Sequence, residues 1–268
     1  MFQSIAAVAV AVAVLGCGNV NETNPDAPPV GSDAATCVVS PTSTRARWRG
    51  ESDASDDTGA LPGTIVGGLS FTAGKHGMAF LFDGVDDAIT ADPGDQLWAA
   101  GSFSLEAWVK GTTAPADFAG ILQKFDGAGM DAAGLPNWQI AVNAMGHPAF
   151  TVRSTTNNNA TVTASTASIL DGAFHHLVAV RDVVTKRITL YVDGVVGATS
   201  APGDAFFTSM TSHDGKPDPV MIGATRQFGG DGFFFFFSGA IDEPAYYDAA
   251  LSAADVAAIF TVPDGVCR

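Results

Sequence analysis

The side chains best suited to chemistry in this chain are Asp242-Glu243, Glu106 and His175-His176, all set in apolar, strand-like runs. Glycoside hydrolysis needs two carboxylates flanking one scissile bond. On a strand they must be spaced so that both project into one cleft. Ile241-Asp242-Glu243-Pro244 has no partner Glu on either side at such a spacing, and Glu106 stands alone on its run. Adjacent strand residues face opposite ways, so His175 and His176 cannot grip one ion together. One is expected to be packed and hydrogen-bonded, the other solvated. No Gly-x-Ser-x-Gly elbow accompanies the many Ser and Asp residues, so a nucleophilic triad has no support. These residues point to binding and not to catalysis.

Two binding chemistries follow from the same scan. Asp242 comes just after the five phenylalanines of 233–237, and an unpaired carboxylate in apolar surroundings is costly. A Ca²⁺ ion relieves that cost through carboxylate, carbonyl and water oxygens; an ion pair to Arg47 or Arg49 is the alternative. For a sugar, an aromatic face is the usual contact. Trp138, after the Gly-rich loop 127–137, and Phe228, in the loop 226–232, are the candidates, with a place in the core as the alternative. The run 233–237 reads as an apolar strand, buried on both faces or covered by a partner.

The elements that must position these groups are strands. Residues 102–110 alternate, with Phe103, Leu105, Ala107 and Val109 on one face and Ser104, Glu106 and Trp108 on the other, the period of a half-buried strand. Similar runs fall at 79–82, 121–125, 138–143, 149–153, 174–181, 188–192 and 221–224. Asp-Gly pairs punctuate them, and Asp193-Gly194 between two apolar runs predicts a tight hairpin. Ser252 and Asp255 predict the start of one short helix with Val256, Ile259 and Phe260 on its apolar stripe. Many short strands with one late helix predict an all-β sandwich.

With 13 Lys+Arg against 28 Asp+Glu, the formal charge is −15, which excludes a phosphate-tracking nucleic-acid surface. Residues 1–16 hold an uncharged Ala/Val run from Ile5 to Leu15 that meets Gly16 and Cys17, too short to span a membrane and suited to an export signal. Val14-Leu15-Gly16-Cys17 resembles a bacterial lipobox, which implies a lipid on Cys17; an ordinary signal peptide with an incidental Cys is the alternative. Gly18 then implies sorting to the outer membrane if the host is Gram-negative. Residues 17–36 are polar and Pro-rich and read as a disordered tether, leaving 37–268 as one folded domain. If Cys17 carries lipid, Cys37 and Cys267 remain as a pair in an oxidising compartment. A disulfide between them would stabilise by about 5 kcal/mol on chain-entropy grounds.

Five stretches, in order, resemble bacterial laminin-G-like domains of the concanavalin A-like lectin/glucanase superfamily. They are Gly74-Lys75-His76-Gly77-Met78-Ala79-Phe80 with Phe82-Asp83-Gly84-Val85-Asp86-Asp87; residues 101–110; residues 174–181, with Phe174 where Trp is usual; Leu190-Tyr191-Val192-Asp193-Gly194; and Gly239-Ala240-Ile241-Asp242-Glu243 with Tyr247 and Leu251-Ser252. The resemblance implies a two-sheet antiparallel jelly roll. It further implies a non-catalytic module for carbohydrate or a cell-surface partner, often with a structural Ca²⁺. A glycoside hydrolase or a protein–protein adhesion module are the other readings. In such domains the first and last strands are neighbours, which would bring Glu51 or Asp57 towards Asp242. Pro244 cannot donate to a ladder and predicts an edge or a bulge there.

Overall fold

Short apolar runs cut by Gly- and Asp-rich turns fold into strands, and the computed structural model describes them over residues 41–92, 97, 101–124, 137–153, 159–165, 167–203, 219–226 and 233–262. Residues 1–36, with Cys17, and also Cys37, Cys267 and Phe228, lie outside that set. In chain order the first strands are β1 (Thr44–Arg47), β2 (Thr64–Val66), β3 (Ser70–Ala73), β4 (Met78–Asp83), β5 (Ala88–Ala91) and β6 (Phe103–Lys110). Then come β7 (Phe118–Lys124), β8 (Trp138–Asn143), β9 (Pro148–Arg153), β10 (Asn159–Thr163), β11 (His175–Asp182), β12 (Arg187–Val192) and β13 (Val195–Thr199). The last are β14 (Val220–Ile222), β15 (Thr225–Arg226), β16 (Phe233–Phe234) and β17 (Ser238–Tyr247), followed by the helix α1 (Ala253–Thr261).

These strands make two large antiparallel sheets. One runs β13-β12-β11-β6-β17-β4-β3, with β1 also paired to β17; the other runs β10-β9-β8-β7-β14-β5-β2. Their inner faces share one core, in which Phe103, Leu105, Ala107 and Val109 of β6 meet Trp138, Ile140 and Phe150 of the facing sheet. The all-β sandwich with one late helix is the architecture that the alternation predicts.

The predicted half-burial of β6 needs correction, because residues 103–109 are buried on both faces. The outer face is roofed by α1, whose Val256 and Ile259 pack on Val178, Val180, Ala245 and Tyr247. Ser252 and Asp255 form the reciprocal capping box that starts this helix, satisfying two backbone donors at its end. Its Phe260 lies stacked on Trp108, with ring centroids 5.7 Å apart. The predicted hairpin is present, with Asp193 at φ +51° and Gly194 at φ +78°. Gly194 also sits under Phe260, where a Cβ would come within 2.9 Å of the ring, so the turn and the helix roof require each other.

The run 233–237 is not one buried strand. Pairing covers only Phe233 and Phe234. Phe235 takes a left-handed backbone, φ +52°, which ends the strand and turns its ring outward. Phe234 and Phe235 are 39% and 44% exposed, whereas Phe237 is buried.

Candidate functional site

Two places on the fold concentrate unusual side chains. The first is a bulge in the closing strand β17. Opposite β6, Asp242 pairs with Trp108 and Ala245 with Glu106, so one extra residue is inserted between them, at the position where Pro244 predicts a break. Glu243 takes φ +50° within it. A bulge interrupts strict alternation, and here it turns the adjacent carboxylates Asp242 and Glu243 towards the same outer side. Upstream of the bulge β17 pairs with β4, and downstream with β1. At the seam between β4 and β1, the Trp48 N–H just past β1 donates to the Pro244 carbonyl of β17 at 3.0 Å.

Asp242 fills the rest of that seam. Its Oδ2 accepts the backbone N–H groups of Lys75 at 2.7 Å and His76 at 2.9 Å. Its Oδ1 is buried with no hydrogen-bond partner among the described residues. Burial pushes the Asp242 carboxyl up to about 7, against the pull of the backbone amides of His76, Lys75 and Glu243, and the nearby charge of Glu51 adds to the rise. Glu51 lines the same turn, its Oε2 accepting Met78 N–H at 3.2 Å. Gly74 and Gly77 are required between them. A Cβ at Gly74 would lie 2.6 Å from Asp242 Oδ2, and one at Gly77 would lie 2.1 Å from Glu51 Oε1.

The remaining charges form a chain that passes through Tyr247, a residue packed under α1. Glu106 accepts from His176 Nε2 at 3.1 Å and from the Tyr247 hydroxyl. That hydroxyl accepts from Arg47 at 2.8 Å. Burial would raise the Glu106 carboxyl, but the hydrogen bond and charge of His176, with Arg47 and Tyr247, hold it below its usual range. Arg47 Nε is 3.6 Å from Glu243 Oε2, and Arg49 reaches Glu243 Oε1 at 3.3 Å and also Asp57. Burial pushes Glu243 up to about 8, outweighing Arg49 and Arg47, and Asp242 and Glu106 push the same way. The structure therefore brings Glu51 to Asp242, while Asp57 is engaged by Arg49. Neither Arg47 nor Arg49 pairs with Asp242; their acid is Glu243. Glu106, read as solitary, has Tyr247, Arg47 and His176 around it. The one sequence signal for this network was Pro244.

The second place is the end of the sandwich where β4 and β6 finish and β17 begins. A pocket of about 310 Å³ opens there, lined by Gly84, Thr113, Pro115, Asp117, Phe235 and Ser238, among others. Phe235 stacks on Phe118 with centroids 4.1 Å apart and planes 24° from parallel. The Phe235 carbonyl accepts Gly120 N–H at 3.0 Å, which fixes the left-handed turn beneath the exposed ring. Trp138 is not available to a ligand. It is wholly buried, packs on Phe103 and Tyr246, and donates its Nε1–H to the Leu97 carbonyl at 3.2 Å. A large ring pointing inward from a central strand has more to gain from the core than from water.

The two histidines divide as adjacent strand residues must. His176 is buried on Glu106. His175 is more open, between Asp193 at 2.8 Å and Asp171 at 3.1 Å.

A family model described as concanavalin A-like lectin/glucanases superfamily matches residues 83–257. Among curated protein sequences nothing matches the chain. Among solved structures, domain 4 of AbnA, a GH43 extracellular arabinanase from Geobacillus stearothermophilus, in complex with arabinotriose, is similar. Its TM-score is 0.57 and identity 22%, with 80% of this chain and 96% of that one covered. The receptor-binding domain of botulinum neurotoxin D aligns with a TM-score of 0.58 at 11% identity over 81% of this chain. The binding domain of Paraclostridial Mosquitocidal Protein 1 gives 0.55 at 12% over 80%. This chain spans only 52% and 51% of those two structures. At such identities the likeness is one of fold.

The His175 clamp predicts a pH dependence. Burial lowers the imidazole's affinity for a proton, but hydrogen bonds and charge from Asp193 and Asp171 win, and its pKa is raised above 6.5. A raised folded value gives stability that is complete below 6.5 and lost as pH rises through the folded value. We expect the melting temperature of the wild type to fall towards that of His175→Gln as pH rises above 6.5. Parallel profiles for the two proteins would contradict the clamp.

Proposed function

The chain belongs to the concanavalin A-like lectin/glucanases superfamily, and from that premise we propose that its sandwich is a non-catalytic module that binds a saccharide in the pocket under Phe235. The carrying observation is the exposed phenylalanine held at φ +52° and stacked on Phe118 over that pocket. Left-handed backbone is disfavoured for a bulky side chain, and such strain tends to be kept where it serves a site. An aromatic face with nearby hydroxyl and carboxylate groups suits a sugar ring, which offers apolar C–H faces and polar edges. Thr113, Asp117 and Ser238 supply those groups here. The arabinotriose bound to the similar arabinanase domain makes arabino-oligosaccharides the first ligands to try. Against hydrolysis stands the burial of the outer-face acids: Glu106, Asp242 and Glu243 are at most 5% exposed and lie beneath a roof or in a seam.

Calcium belongs to the same reading as a structural ion. Asp242 Oδ1 is buried without a hydrogen-bond partner beside the acidic Glu51, a donor set that fits a hard cation. Asp242 and Glu51 would hold it, and its chemistry would be to neutralise the seam between β4 and β1. Export, a lipid on Cys17 and a Cys37–Cys267 disulfide complete the proposal, supported by sequence alone.

Three outcomes are expected. On a saccharide array that includes arabino-oligosaccharides, the wild type binds and Phe235→Ala binds at least tenfold more weakly, a loss of about 1.4 kcal/mol, with its melting temperature unchanged. Equal binding by the variant, or binding to no saccharide, would overturn the site. In millimolar Ca²⁺ the melting temperature rises relative to chelator, by the equivalent of about 2.7 kcal/mol at a hundredfold Kd. In Asp242→Asn that rise should be reduced; an undiminished rise would remove the ion from Asp242. Peptide mass mapping of exported protein should find lipid on Cys17 and Cys37 joined to Cys267, and an unmodified Cys17 or two free thiols would refute those assignments.

A further inference from the structure

The pocket under Phe235 carries charge of one sign only. Its lining is mostly apolar, with Ala114, Pro115 and Ala116 of the β6–β7 loop beside the two stacked rings. Asp117 is the one charged side chain among the described lining residues. It is exposed, and its carboxylate makes no ion pair or hydrogen bond among the described residues. Lys110 ends β6 at this end of the sandwich, but its Nζ lies over the Phe174 ring, 5.5 Å from the centroid. Phe174 leads into β11, which flanks β6 on the side away from β17. Ser238, which opens β17, lines the pocket instead. The Asp117 charge is therefore left uncompensated, in a chain whose formal charge is −15.

The rings add to the same preference. An aromatic face attracts a cation through its quadrupole, so Phe235 and Asp117 favour positive charge together. The hydroxyls of Thr113 and Ser238 can donate or accept and serve a neutral or a charged sugar alike. Selection by charge then falls to Asp117. A hydrogen bond from an ammonium to a carboxylate is shorter and stronger than one from a neutral hydroxyl. An acidic sugar brought to the same place would meet like charge, which is how an interface rejects a wrong partner. With a volume of about 310 Å³, the pocket is at the small end of ligand sites. A single sugar ring that fills it comes against Asp117.

We propose that Asp117 makes this a pocket for a cationic saccharide, whose ring bears a free ammonium, in preference to a neutral or an anionic one. The proposal rests on the saccharide reading above and adds the class of sugar. Phe235 supplies the face on which the ring lies, and Asp117 decides which ring is held most tightly.

Calorimetric titration of the full chain with a glucosamine trimer, its N-acetylated counterpart and a galacturonate trimer tests this, at a pH where the free amine is protonated. The first two share ring and linkage and differ at the nitrogen. Wild type should bind the glucosamine trimer at least tenfold more tightly than the N-acetylated one, and the galacturonate trimer more weakly than either. Salt should shrink that advantage, because the Debye length falls to about 3 Å at 1 M. In Asp117→Asn, at an exposed and unpaired position where folding is not at stake, the ratio of the first two affinities should fall below threefold. An N-acetylated trimer bound as tightly as the free amine, or a wild-type ratio in Asp117→Asn, would overturn the proposal and leave the saccharide site standing. Binding of no saccharide by wild type would instead remove the reading on which it rests.

Discussion

Closing a sandwich with its last strand requires β17 to serve three neighbours: β6 on one side, and β4 and then β1 on the other. The strand can change partners only where its ladder is interrupted, and the bulge over 242–244 is that interruption. Its cost is two adjacent carboxylates directed at a face that the helix roof keeps largely dry. Asp242 is held by the amides of Lys75 and His76. Glu243 is met by Arg47 and Arg49, and Arg47 carries the network on to Tyr247, Glu106 and His176. Removing one partner from such a buried set typically costs about 3–5 kcal/mol, because it leaves a charge or donor stranded. The buried polar residues of this sheet are thus explained by topology.

The same constraint separates structure from binding. The acids of the bulge lie mid-strand, beneath α1 or in the seam between strands. The pocket lies past the strand ends, where loops from β4, β6 and β17 converge and where a ring can be exposed without breaking a ladder. Rigid strands fix the positions of these loops, and the loops remain free to carry specificity. Phe235 marks the division. Its carbonyl is tied to Gly120 while its ring faces solvent over Phe118, two residues from the buried Phe237.

Much of the fold is legible in the sequence because it rests on local signals. Alternation from 102 to 110 places the inner face of β6, Asp193-Gly194 places the hairpin, and Ser252 with Asp255 places the helix. The outer face is harder. Ser104, Glu106 and Trp108 read as solvent-facing because nothing local shows that a helix from residue 253 onward will cover them. Glu106 finds its partners Tyr247 and Arg47 only through long-range pairing. Pro244 announces a break, but not that Glu243 will turn to the same side as Asp242. The five phenylalanines at 233–237 read as one buried strand, since period alone cannot show that the third adopts a left-handed backbone. Trp138 follows a loop, as a ligand-facing ring would, yet it begins a central strand and its first neighbours are Phe103 and Tyr246.

Binding at the loop end, with the acidic outer face serving only to hold the strands together, is best tested by residue-resolved NMR of the full chain titrated with an arabino-oligosaccharide. We expect saturable amide shifts confined to 113–119, 234–238 and the turn at Gly84, with Glu106, Asp242 and Glu243 unmoved and the saccharide intact after long incubation. Shifts centred on Glu106 and Asp242, or on the outer face of the sheet that holds β7 and β8, together with cleavage of the sugar, would contradict it.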